Sequence, residues 1–186
     1  MSTDFVGFPK IARYSREVLV TEKIDGTNAC IYIGPDGEFL VGSRTRWITP
    51  EIDNHGFARW AFEHRDELLA LGPGRHFGEW WGSGIQRGYG LPNGDKRFSL
   101  FNVRRWVMPG AEPGVGQGVL PPCVGLVPVI WSGIMDHFIA ETMMNALAVH
   151  GSYAAPGYTN PEGIVIFHIA GNVGFKKTFE KDQGKT

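Results

Sequence analysis

Short apolar segments separated by polar, glycine-rich turns recur along most of the chain. The segments EVLV (17–20), ACIYIG (29–34) and EFLVGSR (38–44) have the composition of strands, and the turn PDG (35–37) separates the last two. We therefore predict that these segments form an antiparallel meander. Further strands are predicted at RHFGEWWG (75–82), RFSLFNVRRWV (97–107), VGLVPVIWSG (124–133), GIVIFHI (163–169) and NVGFKKTF (172–179).

Two other segments carry apolar residues at helical spacing. The first spans 53–71, and Asp53 or Asn54 is its expected N-cap. The second spans 136–149 and is expected to be capped by Asp136. Because many short strands are interrupted by only these two helices, the pattern predicts an α+β fold of antiparallel sheets with flanking helices.

The rest of the chain carries no sign of a second domain. The Pro- and Gly-rich segment 108–122 predicts a surface loop, and the polar tail 180–186 predicts no regular structure. No segment has the composition of an interdomain linker. We therefore expect a single domain over residues 1–186, with no separate C-terminal or OB domain.

Composition narrows the class of protein. The formal charge of −1 means that any nucleic-acid contact must come from a local basic patch. The two cysteines, Cys30 and Cys123, have no zinc-binding spacing, and no disulfide is expected. The N-terminus lacks the apolar core of a signal peptide, and no apolar run is long enough to cross a membrane. We expect a cytoplasmic protein with no membrane contact, from a bacterium or a phage-infected cell.

The stretch KIDGTN (23–28) interrupts the strand pattern with polar residues. Taken alone it fits a hairpin turn, since Asp-Gly is a favoured turn pair. Downstream, however, the chain carries an ordered set of segments that supply acids, aromatic rings and lysines. These segments are FGEWWG (77–82), FSLFNV (98–103), EGIVI (162–166) and GFKK (174–177).

Each residue type in this set suits nucleotide transfer. A neutral lysine amine can attack the α-phosphorus of a nucleoside triphosphate, and a nearby cation, either Lys176 or a metal ion, favours the neutral amine. Glu162 offers a hard oxygen ligand for magnesium. Glu79 can accept hydrogen bonds from ribose hydroxyls, and a phenylalanine of 98–103 can stack on the base. Gly26 allows a close backbone approach or a sharp turn.

In this order the motifs resemble those of the covalent nucleotidyltransferase superfamily of polynucleotide ligases and RNA capping enzymes. The sequence is most similar to the T4 RNA ligase 2-like family of ATP-dependent RNA ligases. Motif I stands as Lys23-Ile24-Asp25-Gly26, and the resemblance continues through SRTR (43–46) to GFKK, within residues 17–181. It implies a nucleotidyltransferase (ATP-grasp-like) domain that uses ATP with Mg²⁺ or Mn²⁺.

The resemblance also implies a role for particular residues. Lys23 would be the adenylated nucleophile, Lys176 would contact the α-phosphate, and Glu162 would hold the metal ion. Asn28 and Arg44 would lie near the 5′-phosphate of the nucleic acid. The remaining residues expected at the nucleotide are Glu22, through its backbone, and Asp25, Gly26, Arg44, Glu79, Phe101 (with Phe98 as the alternative) and Lys177.

The implied substrate is RNA with 5′-phosphate and 3′-hydroxyl ends, and the implied role is RNA repair. Two features depart from the family pattern. The motif V lysines, Lys176 and Lys177, are adjacent, so only one can face the nucleotide from a regular strand. The sequence also ends soon after motif V, so a protein partner that clamps the substrate is one expectation. DNA ligation, GTP-dependent capping and a non-sealing accessory protein that binds nucleotide or RNA are the alternatives.

Overall fold

The computed structural model describes residues 4–107 and 120–180. Within these ranges the chain forms two β-sheets and four short α-helices. The predicted loop at 108–122 and the predicted tail at 180–186 lie mostly outside the described residues. No helix of the described part is both long and apolar enough to cross a lipid bilayer.

The first sheet has four antiparallel strands in the order β10-β9-β1-β8. They are β1 (Glu17–Lys23), β8 (Val129–Ile134), β9 (Gly163–His168) and β10 (Val173–Thr178). The helix α4 (Ile139–His150) packs on one face of this sheet, where Leu147 contacts the cluster around Val18 and Ile164.

The second sheet has six strands in the order β4-β3-β2-β5-β6-β7. They are β2 (Thr27–Ile33), β3 (Phe39–Ser43), β4 (Trp47–Ile48), β5 (Gly74–Gly82), β6 (Lys96–Leu100) and β7 (Val124–Leu126). The helix α1 (Phe57–Glu63) covers one face, where the ring of Phe57 lies 5.4 Å from Trp80 and 5.0 Å from Phe98 between centroids. The short helices α2 (Arg65–Leu68) and α3 (Val103–Val107) complete the described elements.

A third apolar cluster joins the two sheets. Leu19 of β1 and Trp81 of β5 belong to it, together with Ile24, Tyr89 and Val127. Side chains alternate between the faces of a strand, so Leu19 points away from α4 and Trp81 points away from α1. The uncovered faces of the two sheets therefore meet at this cluster.

The chain passes from one sheet to the other in three residues, Ile24, Asp25 and Gly26. β1 ends at Lys23 in the first sheet, and β2 begins at Thr27 in the second. The predicted meander is therefore wrong for its first strand, because β1 pairs with β8 and β9 while β2 pairs with β3 and β5. The reason is local: Ile24 is buried between the sheets, so the Asp-Gly pair continues a crossing and forms no hairpin turn.

Two predicted strands are shorter than expected. The strand predicted at 97–107 ends at Leu100, and 103–107 is the helix α3, because Val103 is drawn into the cluster between the sheets. The segment predicted as one strand at 124–133 divides into β7 and β8, in different sheets. Pro128 separates them, since it has no backbone N–H for a ladder. β7 also pairs with β6 in parallel, which breaks the expected antiparallel pattern.

The helix predicted at 53–71 begins later and is interrupted. Its N-cap residue is Gly56, although the Asp53 carboxylate accepts the N–H groups of Ala58 at 2.7 Å and Arg59 at 3.2 Å. Asp53 thus stabilises the helix start from outside the first turn.

The second predicted helix starts three residues later than expected, at Ile139. The Asp136 carboxylate nevertheless accepts the N–H groups of Phe138 at 2.7 Å and Ile139 at 3.0 Å. The residue that satisfies the first free amides was therefore predicted correctly, while the N-cap position itself, Phe138, was not.

The sheet crossing predicts a specific steric sensitivity. A Cβ atom on Gly26 would lie 2.4 Å from the carbonyl oxygen of Trp80 and 2.8 Å from Cβ of Trp81. The backbone of Trp80 cannot shift without disturbing β5. We therefore expect Gly26→Ala to lower the free energy of unfolding by about 1–3 kcal/mol, measured by urea denaturation. Gly174→Ala is the control, since no atom lies within 4 Å of its added Cβ. Equal stability of the two variants would contradict a tight crossing.

Candidate active site

Lys23 and Glu162 form an ion pair where β1 ends and β9 begins. Lys23 Nζ donates to Glu162 Oε2 at 2.5 Å, and the two side chains are 25% and 12% exposed. Lys23 is opposite Gly163 in the strand register, so the pairing of β1 with β9 brings the two side chains together. The result is an amine that is held in place by an acid and still reaches solvent.

Glu79 of β5 lies against the segment that crosses between the sheets. Its Oε1 accepts the N–H of Gly26 at 3.1 Å, and its Oε2 accepts Nδ2 of Asn28 at 2.9 Å. The register of β2 and β5 sets this contact, because Asn28 is directly opposite Glu79. Glu79 therefore binds Gly26 of motif I and also Asn28, the residue predicted to lie near the 5′-phosphate of the nucleic acid.

Burial raises the pKa of Glu79 to about 7. The hydrogen bonds from Asn28 and Gly26 and the positive charge of Lys23 act in the opposite direction, while the negative charge of Glu162 adds to the rise. Desolvation is the largest contribution because the side chain is almost entirely removed from water.

Glu22 turns away from Lys23. Its carboxylate accepts Oγ of Ser152 at 2.6 Å and the N–H groups of Tyr153 and Ala154 at 2.8 and 2.9 Å. The side chain is only 1% exposed, and burial raises its pKa against these three hydrogen bonds. The side chain of Glu22 therefore lies on the face of β1 opposite to that of Lys23.

Asp25 is held by an arginine. Its Oδ2 accepts Nε of Arg87 at 3.0 Å, and Arg87 also pairs with Glu180 at 2.7 Å. The backbone N–H of Asp25 donates to the hydroxyl of Tyr89 at 2.8 Å. The side chain and the backbone of Asp25 are thus both fixed by the segment that follows β5, which gives Asp25 a structural function at the crossing.

Sequence reasoning missed these supporting residues. The sequence indicates Arg87 only as one of the arginines available for a local basic patch, and it assigns no role to Ser152 or Tyr89. The signal for the loop was the glycine spacing in IQRGYG, because Gly88 and Gly90 have φ angles of 66° and 65° and Tyr89 itself has 52°. No comparable signal marked Ser152, since its partner Glu22 is 130 residues away.

The strand register separates the two adjacent lysines of β10. Lys176 is opposite Val165, which is opposite Thr21, so Lys176 is on the same face of the first sheet as Lys23. Lys177 is on the other face, where its Nζ lies 3.0 Å from Glu141 of α4. The structure therefore brings Lys176 to the candidate site and leaves Lys177 outside it.

The two candidate aromatic residues differ in burial. Phe98 is fully buried under α1 and is part of the core of the second sheet. Phe101 follows β6 and is 42% exposed, and its N–H donates to the carbonyl oxygen of Phe77 at 3.0 Å. Phe101 is thus available to stack on a ligand, and Phe98 is not.

Arg44 lies on the surface after β3. It lines a cavity of about 270 Å³ on the second sheet together with Arg46 and Arg75. Asn28 is near the same end of the strands, because its neighbour Ala29 is opposite Ser43. Both predicted nucleic-acid contacts are therefore near one edge of the candidate site.

The metal-ligand prediction concerns Glu162 alone. The described residues contain no group of three or more His, Cys, Asp or Glu side chains that could hold a metal ion by themselves. A single carboxylate with substrate phosphates and water is, however, a usual environment for Mg²⁺. The donor set fits a metal ion that arrives with a nucleotide.

The pKa of Glu79 predicts a pH-dependent stability. A carboxyl whose folded pKa of about 7 exceeds its ordinary 4.5 stabilises the fold below pH 4.5, and this contribution is lost as the pH rises through 7. Between pH values of about 5 and 8, we expect the unfolding free energy of the wild type to fall relative to Glu79→Gln by roughly 1–3 kcal/mol.

Urea denaturation at both pH values measures this difference. Glu63→Gln is the control, since Glu63 is exposed on α1 and loses the same charge on substitution. If the gap between wild type and Glu79→Gln stays constant over this range, the pKa of Glu79 is not raised.

Comparison with solved structures identifies the fold. An apo mutant of Naegleria gruberi RNA ligase aligns with a TM-score of 0.59 and 20% identity, over 88% of this chain and 50% of that chain. A mutant of the same ligase with ATP and Mn aligns with a TM-score of 0.62 and 19% identity, over 89% and 50%. A mutant with AMP and Mn gives 0.59 and 19%, over the same fractions. This chain thus spans about half the length of these ligases.

The sequence comparison supplies the family. A search of curated proteins found no match. A sequence model of the RNA ligase family, however, matches residues 16–178, which include all the motifs from Lys23 to Lys177. The chain therefore belongs to the RNA ligase family.

Proposed function

We propose that the protein is an ATP-dependent RNA ligase-like nucleotidyltransferase that forms a covalent Lys23–AMP intermediate. The observation that carries this proposal is the ion pair of Lys23 with Glu162 beside the buried Glu79, in a chain of the RNA ligase family. An amine held by a carboxylate and still partly exposed to solvent has both a fixed direction and an acceptor for its proton.

The first step joins Lys23 to the nucleotide. Nζ gives up a proton, for which Glu162 Oε2 is within reach at 2.5 Å, and attacks the α-phosphorus of ATP. A phosphorus–nitrogen bond forms as the bond to the β-phosphate oxygen breaks, and pyrophosphate leaves with the electron pair. Lys176, on the same face, is proposed to balance the charge on the α-phosphate.

The other residues position the nucleotide. Glu79 is proposed to accept the ribose hydroxyls, Phe101 to stack on adenine, and Gly26 and the backbone of Glu22 to line the pocket. Asp25, tied to Arg87, supports this arrangement from behind. Mg²⁺ or Mn²⁺, with Glu162 as its proposed protein ligand, would supply charge neutralisation at the phosphates.

Two further steps complete the proposed reaction. A 5′-phosphate oxygen of RNA, near Asn28 and Arg44, attacks the AMP phosphorus, and the bond to Lys23 breaks and restores the amine. A 3′-hydroxyl then attacks the 5′-phosphorus, and AMP leaves as the phosphodiester forms. DNA ends and a protein partner that clamps the substrate are the alternatives within this proposal, and the use of ATP fits a cytoplasmic location.

Covalent adenylation is tested by intact mass. After incubation with ATP and Mg²⁺ or Mn²⁺, we expect a gain of about 329 Da, one AMP, on the wild type and none on Lys23→Ala. GTP in place of ATP is the nucleotide control, and a gain there would favour capping chemistry. Folded protein that is free of bound AMP and gains no mass with either metal would instead favour a non-sealing accessory protein.

The motif V lysines offer a matched pair of variants. We expect Lys176→Ala to slow Lys23–AMP formation by about 10- to 1,000-fold, because it removes a charge proposed to stabilise the transition state. Lys177→Ala removes the same charge from the α4 face, and we expect less than about a 2-fold change, since its exposed ion pair with Glu141 contributes little. Rates come from single-turnover mass spectra, and equal rates for the two variants would exclude a special role for Lys176.

A further inference from the structure

A cationic cavity lies on the second sheet next to the candidate active site. We call it the arginine pocket and define it by Arg44, Arg46, Trp47, Arg75 and Phe77. Its volume is about 270 Å³, and Cys30 and Gly42 are among its other lining residues. None of the lining residues is acidic.

The pocket concentrates positive charge on a protein that has almost none overall. The formal net charge is −1, yet three arginines border this one cavity. Arg44, Arg46 and Arg75 are exposed, and none of them makes an ion pair with another residue in the described ranges 4–107 and 120–180. No acidic side chain of the described residues pairs with their charge, so the cavity favours an anionic ligand.

Aromatic rings line the same cavity. Phe77 is 55% exposed and Trp47 is 46% exposed, although both have large apolar side chains. The guanidinium of Arg75 lies 5.2 Å from the ring centroid of Trp47 and 4.9 Å from that of Tyr32, within the range of a cation–π contact. Exposed rings between arginines are the combination that binds single-stranded nucleic acid, because bases stack on the rings and phosphates pair with the cations.

The pocket continues the surface that carries Glu79. Arg75, Phe77 and Glu79 alternate along β5, so their side chains are on one face of the sheet. Asn28 is opposite Glu79, and Cys30 is opposite Phe77. At about 3.3 Å per residue, Phe77 is roughly 7 Å from Glu79 along the strand and Arg75 about 13 Å. A strand whose 5′-phosphate is near Asn28 can therefore reach the pocket with its first nucleotides.

We propose that the arginine pocket binds an unpaired nucleotide of the RNA strand whose 5′-phosphate receives AMP. Its base stacks on Phe77 and Trp47, and its phosphate contacts Arg46 and Arg75. In a duplex, each base is already stacked on its neighbours and paired at its edge, so no base is available to stack on Phe77 and Trp47. This inference rests on the proposed function and specifies its substrate class as a single-stranded 5′-phosphorylated end, in preference to a nick within a duplex.

Binding without ATP tests the inference independently of Lys23 chemistry. The probe is a fluorescent 5′-phosphorylated RNA of about 12 nucleotides, a length in the range of one single-strand site, alone or as the 5′-phosphate strand of a nicked duplex. By anisotropy at one fixed salt concentration, we expect the wild type to bind the single strand at least about 10-fold more tightly.

Variants of the ring at position 77 test the stacking contact. We expect Phe77→Leu to weaken single-strand binding by about 5- to 100-fold and to leave duplex binding almost unchanged. Phe77→Trp keeps a stacking surface and should retain the single-strand affinity. Phe138→Leu is the control, since Phe138 is 74% exposed next to α4. Melting curves verify the fold, and Trp47→Phe gives a second conservative position.

The arginines are tested in the same assay. Arg75→Gln should weaken single-strand binding and lower its salt dependence, whereas Arg59→Gln removes the same charge from the exposed side of α1 and should do neither. Equal affinity for the single strand and the nicked duplex, or equal effects of Phe77→Leu and Phe138→Leu, would overturn the proposal. Mass spectrometry on the same samples separates the two ideas, because an AMP adduct without single-strand preference retains the function and rejects the pocket.

Discussion

The crossing of Ile24, Asp25 and Gly26 between the two sheets is the constraint on which the rest of the site depends. It places Lys23 at the end of one sheet and Asn28 at the start of the other. The crossing is tight because Gly26 passes against the backbone of Trp80, where no Cβ fits. Lys23 therefore has a fixed position relative to every side chain that β5 presents.

Two buried carboxylates fix this crossing from opposite sides. Glu22 accepts amides from the segment after α4 and anchors β1 to that segment. Glu79 accepts the N–H of Gly26 and the amide of Asn28 and anchors the start of β2 to β5. Buried acids without such donors would destabilise the protein strongly, so the donors and the acids specify each other. The loop with Arg87 and Tyr89 adds a third anchor, at Asp25.

The sequence allowed a candidate site to be proposed residue by residue, but it did not allow the pairing of the strands to be predicted. Each motif is a short contiguous segment, and each contains a residue type that suits nucleotide transfer. Which strands pair is a non-local property: EVLV and ACIYIG both have strand patterns, but nothing in either segment indicates that they belong to different sheets. The interpretation of 97–107 failed for a related reason, since the burial of Val103 between the sheets is a tertiary effect.

The direction of a side chain could be predicted where it depends only on the two-residue alternation of side chains along a strand. Adjacent lysines in β10 must point to opposite faces, and the register then assigns Lys176 to the face of Lys23. The partners of Glu22 and Asp25 were not predictable, because they lie 130 and 62 residues away and ordinary Ser, Tyr and Arg side chains carry no motif. A single sequence therefore gives little indication of which distant residues will donate hydrogen bonds to a buried carboxylate.

The Lys23–Glu162 pair places two demands on the same acid. Glu162 Oε2 holds Nζ of Lys23 at 2.5 Å, and in the proposed reaction the same carboxylate takes a proton from that nitrogen so that its lone pair can attack. In the proposed reaction, a triphosphate would also bring several negative charges close to the Glu162 carboxylate, which is unfavourable unless further positive charge is present. The proposed attack therefore needs other positive charge near the phosphates, and Lys176 is on the same face of the sheet as Lys23. In the proposed reaction the separation of Lys176 from Lys177 across β10 matters, because a lysine paired with Glu141 on the far face cannot supply that charge.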